Sequence, residues 1–262
     1  MAETHNLAGW ERTEAERSAR EASETGLDQL RIVPLEIARY MNPPGDTCFP
    51  LEYAYHLLGD ARDKTVLDFG CGNGENTLLL AKRGAQVLSM DLSKSLLDLA
   101  QRRLEINGVW EDVRFLSGSA HDIPLRDESV DVVFGIAVLH HLDLAAAARE
   151  IYRVLRRDGR AVFQEPVRNS KLLRALRKLV PYRHPNASPF ERPLTDGEIK
   201  AFTRSFSLGR ERAFHLPHVR LARRLPVSRK LVKNIVELDA RTLSRFPALS
   251  HYASIKVFEL KK

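Results

Sequence analysis

Cysteine is nearly absent from this chain. Cys48 and Cys71 are the two in 262 residues, so no disulfide framework holds the fold, and neither has a ligand-spaced partner for zinc. His215 and His218 lie close in sequence, but Pro217 between them opposes a shared helix face and no third ligand is near, so no metal site is expected. No apolar run is long enough to span a bilayer. The start, Met1-Ala2-Glu3-Thr4-His5, lacks the basic and apolar regions of a secretory signal, and a cytoplasmic location is the expectation. Internal repeats and low-complexity segments are also missing.

What is present is an ordinary soluble composition, 44% hydrophobic and 29% charged, at a length near the upper limit for one core. One main domain with additions is expected. The net charge of +7 hides an asymmetry. Residues 1–150 carry 15 Lys+Arg against 25 Asp+Glu, a balance of −10; residues 151–262 carry 26 against 9, a balance of +17. A basic half is either a solvated face or a surface that attracts an anionic substrate, lipid headgroups or nucleic acid.

Residues 9–24 read as a charged helix, and Pro43 and Pro44 forbid a helix in the loop that follows at 41–46. Residues 50–59 read as a short helix. From Lys64 onward strands and helices alternate: strands at 65–69, 85–90, 113–116, 130–136 and 159–165, with helices at 75–82, 93–106 and from Ile136 to about Leu155. Such alternation predicts a parallel sheet with helices on both faces. Beyond Pro166 the pattern loosens into a helix at 169–180 and a four-proline loop at 181–193. A helix with a Thr195/Glu198 capping box follows, then strands near 206–215 and 253–260, separated by an Arg-rich helical insertion at 217–247.

The informative segment is Val66-Leu67-Asp68-Phe69-Gly70-Cys71-Gly72-Asn73-Gly74. A buried strand, a glycine turn and a helix start form a nucleotide-type site, because glycine admits positive φ and close ligand approach while the helix start offers free N–H groups. A nicotinamide fingerprint needs glycine at position 75, where Glu75 stands. Asp91 closes the second strand, and its two oxygens suit a ribose diol; an N-cap for the next helix is the alternative.

Together with Asp91, Gly118-Ser119-Ala120-His121-Asp122-Ile123-Pro124-Leu125, Val138-Leu139-His140-His141-Leu142 and Arg153 to Arg160, this segment resembles the class I S-adenosylmethionine-dependent methyltransferases of the small-molecule methyltransferase-11/25 type over residues 64–166. The resemblance implies an α/β fold: a Rossmann-like, doubly wound, seven-stranded sheet with its last strand antiparallel. Residues 1–62 would form an N-terminal helical lid, and residues 63–262 the methyltransferase domain. It implies S-adenosylmethionine as cofactor, leaving S-adenosylhomocysteine as product. Gly70, Gly72 and Gly74 would cradle its methionine part, with Cys71 as a small turn residue. Asp68 would organise the turn near the cofactor amine, and Asp91, beside Leu92, would hold the ribose. Ser119, Ala120 and His121 would flank the adenine, and Gly135 and Ile136 complete the set. Ser119 departs from the aspartate frequent there, leaving a hydroxyl to accept from the adenine amine.

Ligands of open α/β sheets sit outside the carboxyl ends of the strands. His140, His141 and Glu165, just after strand four or at the end of strand five, are therefore the catalytic candidates, with histidine suited to a base near neutrality. Trp10, Tyr40, Phe49, Tyr53 and Tyr55 are candidates for a lid or for core. The expected partner is a small-molecule acceptor, anionic if the basic half steers it. A membrane surface is a less favoured partner. RNA or protein methylation draws support from the same charge, but no appended RNA-binding motif and no Asn/Asp-Pro-Pro-Tyr/Phe segment after strand four accompany it, so nucleic acid is disfavoured. A non-catalytic cofactor-binding protein is the third reading. Oligomeric state is not legible. Within the insertion, Val219, Leu221 and Leu225 are expected on one apolar face, with Arg220, Arg223 and Arg224 in solvent and Pro226 splitting the segment into two helices.

Overall fold

The computed structural model describes residues 7–109, 111–170 and 192–262. The helix expected at 169–180 and the loop at 181–193 fall mainly outside them.

Seven strands form one sheet: β1 (Thr65–Phe69), β2 (Gln86–Asp91), β3 (Val113–Ser117), β4 (Val130–Ile136), β5 (Leu155–Pro166), β6 (Ser207–Phe214) and β7 (Ile255–Lys261). Their order is β3-β2-β1-β4-β5-β7-β6. The first five run parallel, and β7 inserts antiparallel between β5 and β6. The order reverses at β1, so a crevice opens beyond the carboxyl ends of β1 and β4, the usual ligand position in such sheets. β1 and β4 are short strands rich in Val, Leu, Ile and Phe and largely buried on both faces, as a central parallel strand requires; Asp68 and Asp131 are their charged members.

The helices are α1 (Leu7–Glu24), α2 (Pro34–Met41), α3 (Pro50–Leu58), α4 (Glu75–Lys82), α5 (Lys94–Ile106), α6 (Leu144–Val154), α7 (Asp196–Phe202), α8 (Pro217–Ala222) and α9 (Arg229–Arg245). Local chemistry sets several of their starts. Ser93 accepts from the Leu96 amide and Asp143 from the Ala146 amide, while Thr195 and Glu198 close the capping box reciprocally. Asp91 is therefore not the N-cap of α5; Ser93 is. Helix α2 lay unpredicted beside the proline loop, and proline at its first position fits that place.

Two cores flank the sheet. One packs Leu67, Phe69, Val133, Phe163 and Phe258 against α6 and α7 through Ile151 and Phe202. The other packs Val66, Val132, Phe134 and Val162 against α3, which contributes Tyr53, Ala54, Tyr55, Leu57 and Leu58. Tyr53 and Tyr55 are thus core, not lid. Fully burying such side chains contributes about 1.5–3 kcal/mol each. Helix α1 lies apart from both cores and rests on α5.

Candidate active site

The turn after β1 is tied down by backbone. The amides of Gly70 and Cys71 both donate to the Met90 carbonyl, 3.0 and 2.9 Å away, which fixes the ends of β1 and β2 together. Gly70, Gly72 and Gly74 all have positive φ. The three glycines serve different ends. A Cβ on Gly70 would lie 2.5 Å from Val138 Cγ2, and one on Gly74 would lie 2.7 Å from Ala100 Cα, so these two allow close packing. A Cβ on Gly72 would meet nothing within 4 Å, since that position faces open space.

Asp91 spans the same region from the other side. Its Oδ2 accepts the Gly72 amide at 3.0 Å and its Oδ1 the Ser93 amide at 2.9 Å. Asp68 lies behind the turn, 2% exposed, and accepts from Thr77 Oγ1 at 2.6 Å. Burial pushes its carboxyl up to about 7, reinforced by Asp91 and opposed by the Thr77 hydrogen bond.

A cavity of about 250 Å³ opens at this point. Among the residues expected from sequence, Gly70, Gly72, Asp91, Leu92, Ala120, His121, Ile136 and His141 line it. Asp68, behind the turn, and Cys71 and Gly74, within it, do not line the cavity. Ser119 lies under α1, and Gly135 leaves room for the Phe163 ring, 2.6 Å from where its Cβ would stand. Ala137, a non-glycine residue at φ 56°, also lines the wall; its amide donates to the Gln164 carbonyl and ends β4 in a tight reversal.

On the remaining wall Trp10 was a lid-or-core candidate from sequence, and the charged and polar residues beside it were not singled out. Trp10, Glu11, Glu14, Arg17 and Ser18 of α1 form this wall. His121 Nε2 accepts the Asp143 amide at 3.0 Å, which leaves Nδ1 to donate to Glu11 Oε1 at 3.0 Å. The Ser119 hydroxyl also donates to Glu11 and accepts the His121 amide. Glu14 lies 3.5 Å from His141 Nδ1 and pairs with Arg17 at 3.1 Å. The glutamates along 9–24 were the available signal, but nothing in them named the surface they would meet.

The two histidines after β4 part company. His141 lines the first cavity. His140 is buried, and its Nδ1 meets Glu165 Oε2 at 2.8 Å. Glu165 is fully buried, and its Oε1 accepts the amides of Val138 and Leu139 at 2.8 and 2.7 Å. It therefore holds the turn after β4 and one ring nitrogen of His140 together. His140 lines a second cavity of about 250 Å³ with Trp10, Leu139, Leu142, Asp143, Leu144, Arg192 and Leu194. Trp10 is common to both cavities.

Residues 67–163 match the family model described as a methyltransferase domain. An uncharacterized methyltransferase, YcgJ of Bacillus subtilis, is 35% identical over 96 residues, covering 36% of this chain and 38% of that protein. A demethylmenaquinone methyltransferase of Lactobacillus johnsonii is 33% identical over 99 residues, covering 36% of this chain and 41% of that one. The matched segment thus spans well under half the length of these curated relatives. In three dimensions the likeness is wider. The geranyl diphosphate C-methyltransferase of Streptomyces coelicolor, in complex with Mg2+, geranyl diphosphate and S-adenosylhomocysteine, superposes with a TM-score of 0.60 at 18% identity, covering 94% of this chain and 97% of that one. The crystal structure of Bacillus subtilis YcgJ gives 0.53 at 22% identity, covering 77% and 92%.

Proposed function

Because residues 67–163 of this chain belong to the methyltransferase-domain family, we propose that the protein transfers a methyl group from S-adenosylmethionine to a small-molecule acceptor. The observation that carries the reading is the junction of the glycine turn with Asp91. There an open position at Gly72 and a carboxylate spanning two backbone amides meet at one cavity wall. Such a wall fits a ligand with a hydroxyl-bearing sugar and an amino-acid tail.

In this reading Asp91 accepts from the ribose hydroxyls and Gly72 gives the tail room to approach the backbone. Asp68, behind the turn, favours a cationic amine, since a positive charge would draw its raised carboxyl back to the ionised form. Glu11 supplies the carboxylate that position 119 lacks. It lines the cavity, held by the Ser119 hydroxyl and His121, and accepts from the adenine amine. When bound, the sulfonium cofactor supplies an activated methyl carbon. The chain's part is to align the acceptor, exclude water and, where the acceptor must lose a proton, receive it.

The second cavity suits the acceptor. Leu139, Leu142, Leu144 and Leu194 offer an apolar bed, and His140 and Arg192 add polar groups. Glu165 fixes His140 through Nδ1 and leaves Nε2 as the available base; Glu165 itself is a positioning residue. The demethylmenaquinone and geranyl diphosphate enzymes among the similar proteins support an apolar small molecule as acceptor class.

Calorimetry with S-adenosylhomocysteine and with NAD tests the cofactor reading: micromolar binding of the first and none of the second is expected, and the reverse overturns it. Once a labelled-methyl screen of cell extract yields an acceptor, His140→Asn should lower kcat about a hundredfold or more and remove the acidic limb of the pH–rate profile. An unchanged profile in the folded variant removes His140 from the chemistry.

A further inference from the structure

The corner formed by α8 and α9 is unlike the rest of the surface. Six of the ten exposed large apolar side chains among the described residues lie between residues 221 and 252. Leu221, Leu225 and Leu231 are 61%, 51% and 45% exposed. Around them stand Arg220, Arg223, Arg224, Arg229, Lys230 and Lys233, all exposed, and no acidic residue occurs between Pro217 and Val236. The sequence expectation of Val219, Leu221 and Leu225 on one apolar face does not hold, although Arg220, Arg223 and Arg224 are in solvent as expected. Val219 and Ala222 are buried, whereas Leu221 and Leu225 face solvent beside the arginines.

Packing explains why these leucines are left outside. The corner is anchored by other groups: Val219, Ala222 and Val236 point inward, and buried Asp239 accepts the amides of His215 and Leu216 at 3.1 and 3.0 Å. The two helices are therefore held without the exposed leucines. The cations also act inward, since burial together with Arg223 and Arg220 pushes His215 down to about 4. Topology sets where the corner lies. Phe214 ends β6 opposite Ile255, which pairs in turn with Pro166 at the carboxyl end of β5. Helix α8 thus begins at the same end of the sheet as the cavity beyond β1 and β4.

We infer that this corner docks on an anionic lipid bilayer, with Leu221, Leu225 and Leu231 entering the headgroup layer and the six cations meeting lipid phosphates. Charge complementarity selects the partner. A second copy of the chain would face its own six cations across a two-fold axis. A nucleic acid would satisfy the cations but not the leucines, and α8 and the start of α9 carry no Phe, Tyr or Trp on which bases stack, His218 being the one aromatic ring there. Interleaved Leu and Arg on short helices lying at an interface satisfy both requirements of a charged bilayer surface. Docking there would turn the carboxyl end of the sheet toward the membrane, where an apolar acceptor would partition. The inference rests on α8 and α9 and stands whether or not the cofactor reading does.

Co-sedimentation of the full chain with phosphatidylcholine vesicles, with and without phosphatidylglycerol, tests it. Binding that needs the anionic lipid and weakens at high salt is expected. Arg223→Glu with Arg224→Glu should lower the partition coefficient at least about twenty-five-fold, roughly fivefold for each cation removed. Leu221→Ser with Leu225→Ser should lower it about tenfold or more while the fold is retained, because both side chains are exposed. Absence of binding to anionic vesicles at low salt overturns the inference. So does binding that the leucine pair leaves unchanged and an RNA oligonucleotide displaces, which would make the corner a general polyanion face. A dimer in sedimentation velocity that the leucine pair abolishes overturns it as well.

Discussion

The glycine turn at 70–74 and helix α1 face each other across one cavity, yet they are built on opposite principles. The turn is backbone, small side chains and strand-to-strand hydrogen bonds, and it lies inside the segment that matches the methyltransferase-domain model. Helix α1 is side chains and charge. Glu11 and Glu14 meet His121 and His141, and the helix rests on α5 without joining either core. The turn excludes the wrong side chain by steric means, whereas α1 offers chemistry that a neutral or repositioned residue would change by degrees. A covering element held by a few polar contacts also opens at lower free-energy cost than one in the core.

Substitution at the turn should break this comparison hardest. Gly72→Val places a branched side chain in the space a ligand needs, at a φ of 54° that such a side chain resists. Loss of S-adenosylhomocysteine binding beyond the calorimetric limit is expected, with the thermal transition lowered but still cooperative. Cofactor uptake by the folded variant would count against the turn as cradle.

Asp91→Ala removes a charge-assisted partner of a ribose diol. It should weaken S-adenosylhomocysteine by about 1.5–3 kcal/mol, roughly ten- to a hundred-fold in Kd. Asp91 also holds the Gly72 and Ser93 amides, so Asp91→Asn serves as the control. It keeps an acceptor, and affinity should recover in part. Affinity equal to that of the unaltered chain in both variants would detach Asp91 from the ligand.

The smallest effect belongs to α1. Glu11→Ala should weaken S-adenosylhomocysteine by about 1 kcal/mol, and the loss should shrink for an analogue whose adenine amine is replaced by oxygen, because that analogue no longer donates there. An equal loss for both ligands would mean that Glu11 only seats the helix on His121 and Ser119.

The legible parts of the molecule were those specified by short-range pattern. Val66 to Phe69 and Val130 to Ile136 are mainly apolar runs of strand length, each interrupted by one aspartate, and the glycines after the first declare a turn. Gly70, Gly72 and Ile136, which line the first cavity, stand at or just after the ends of these strands. What escaped notice depended on distant packing. Glu11 finds Ser119 and His121 from 108 and 110 residues away, and no local signal in α1 specifies that pairing. Glu165 at its strand end could either orient an acceptor or bond neighbouring backbone, and the amides of Val138 and Leu139 take one of its oxygens. Strand β5 begins at Leu155, where a helix was expected to end, because Leu155 pairs with Val130 before the Asp158-Gly159 turn. The expected apolar face of Val219, Leu221 and Leu225 divides on α8, with Val219 buried and the leucines outside, because Asp239 of α9, not the leucines, fixes the helix start.

The position of β7 between β5 and β6 also has a consequence for the order of assembly. Its partners on β5 lie about a hundred residues earlier in the chain, as in the pairing of Arg160 with Lys261. Closing that gap requires the loop of greatest sequence separation in the sheet, and such pairings come late in folding. Until residues 255–261 arrive, β5 presents a bare, fully apolar edge at Ala161, Val162 and Phe163, an open template for any other extended chain. A chain cut before residue 255 would leave that edge open for good, and it should aggregate under conditions in which the full chain does not.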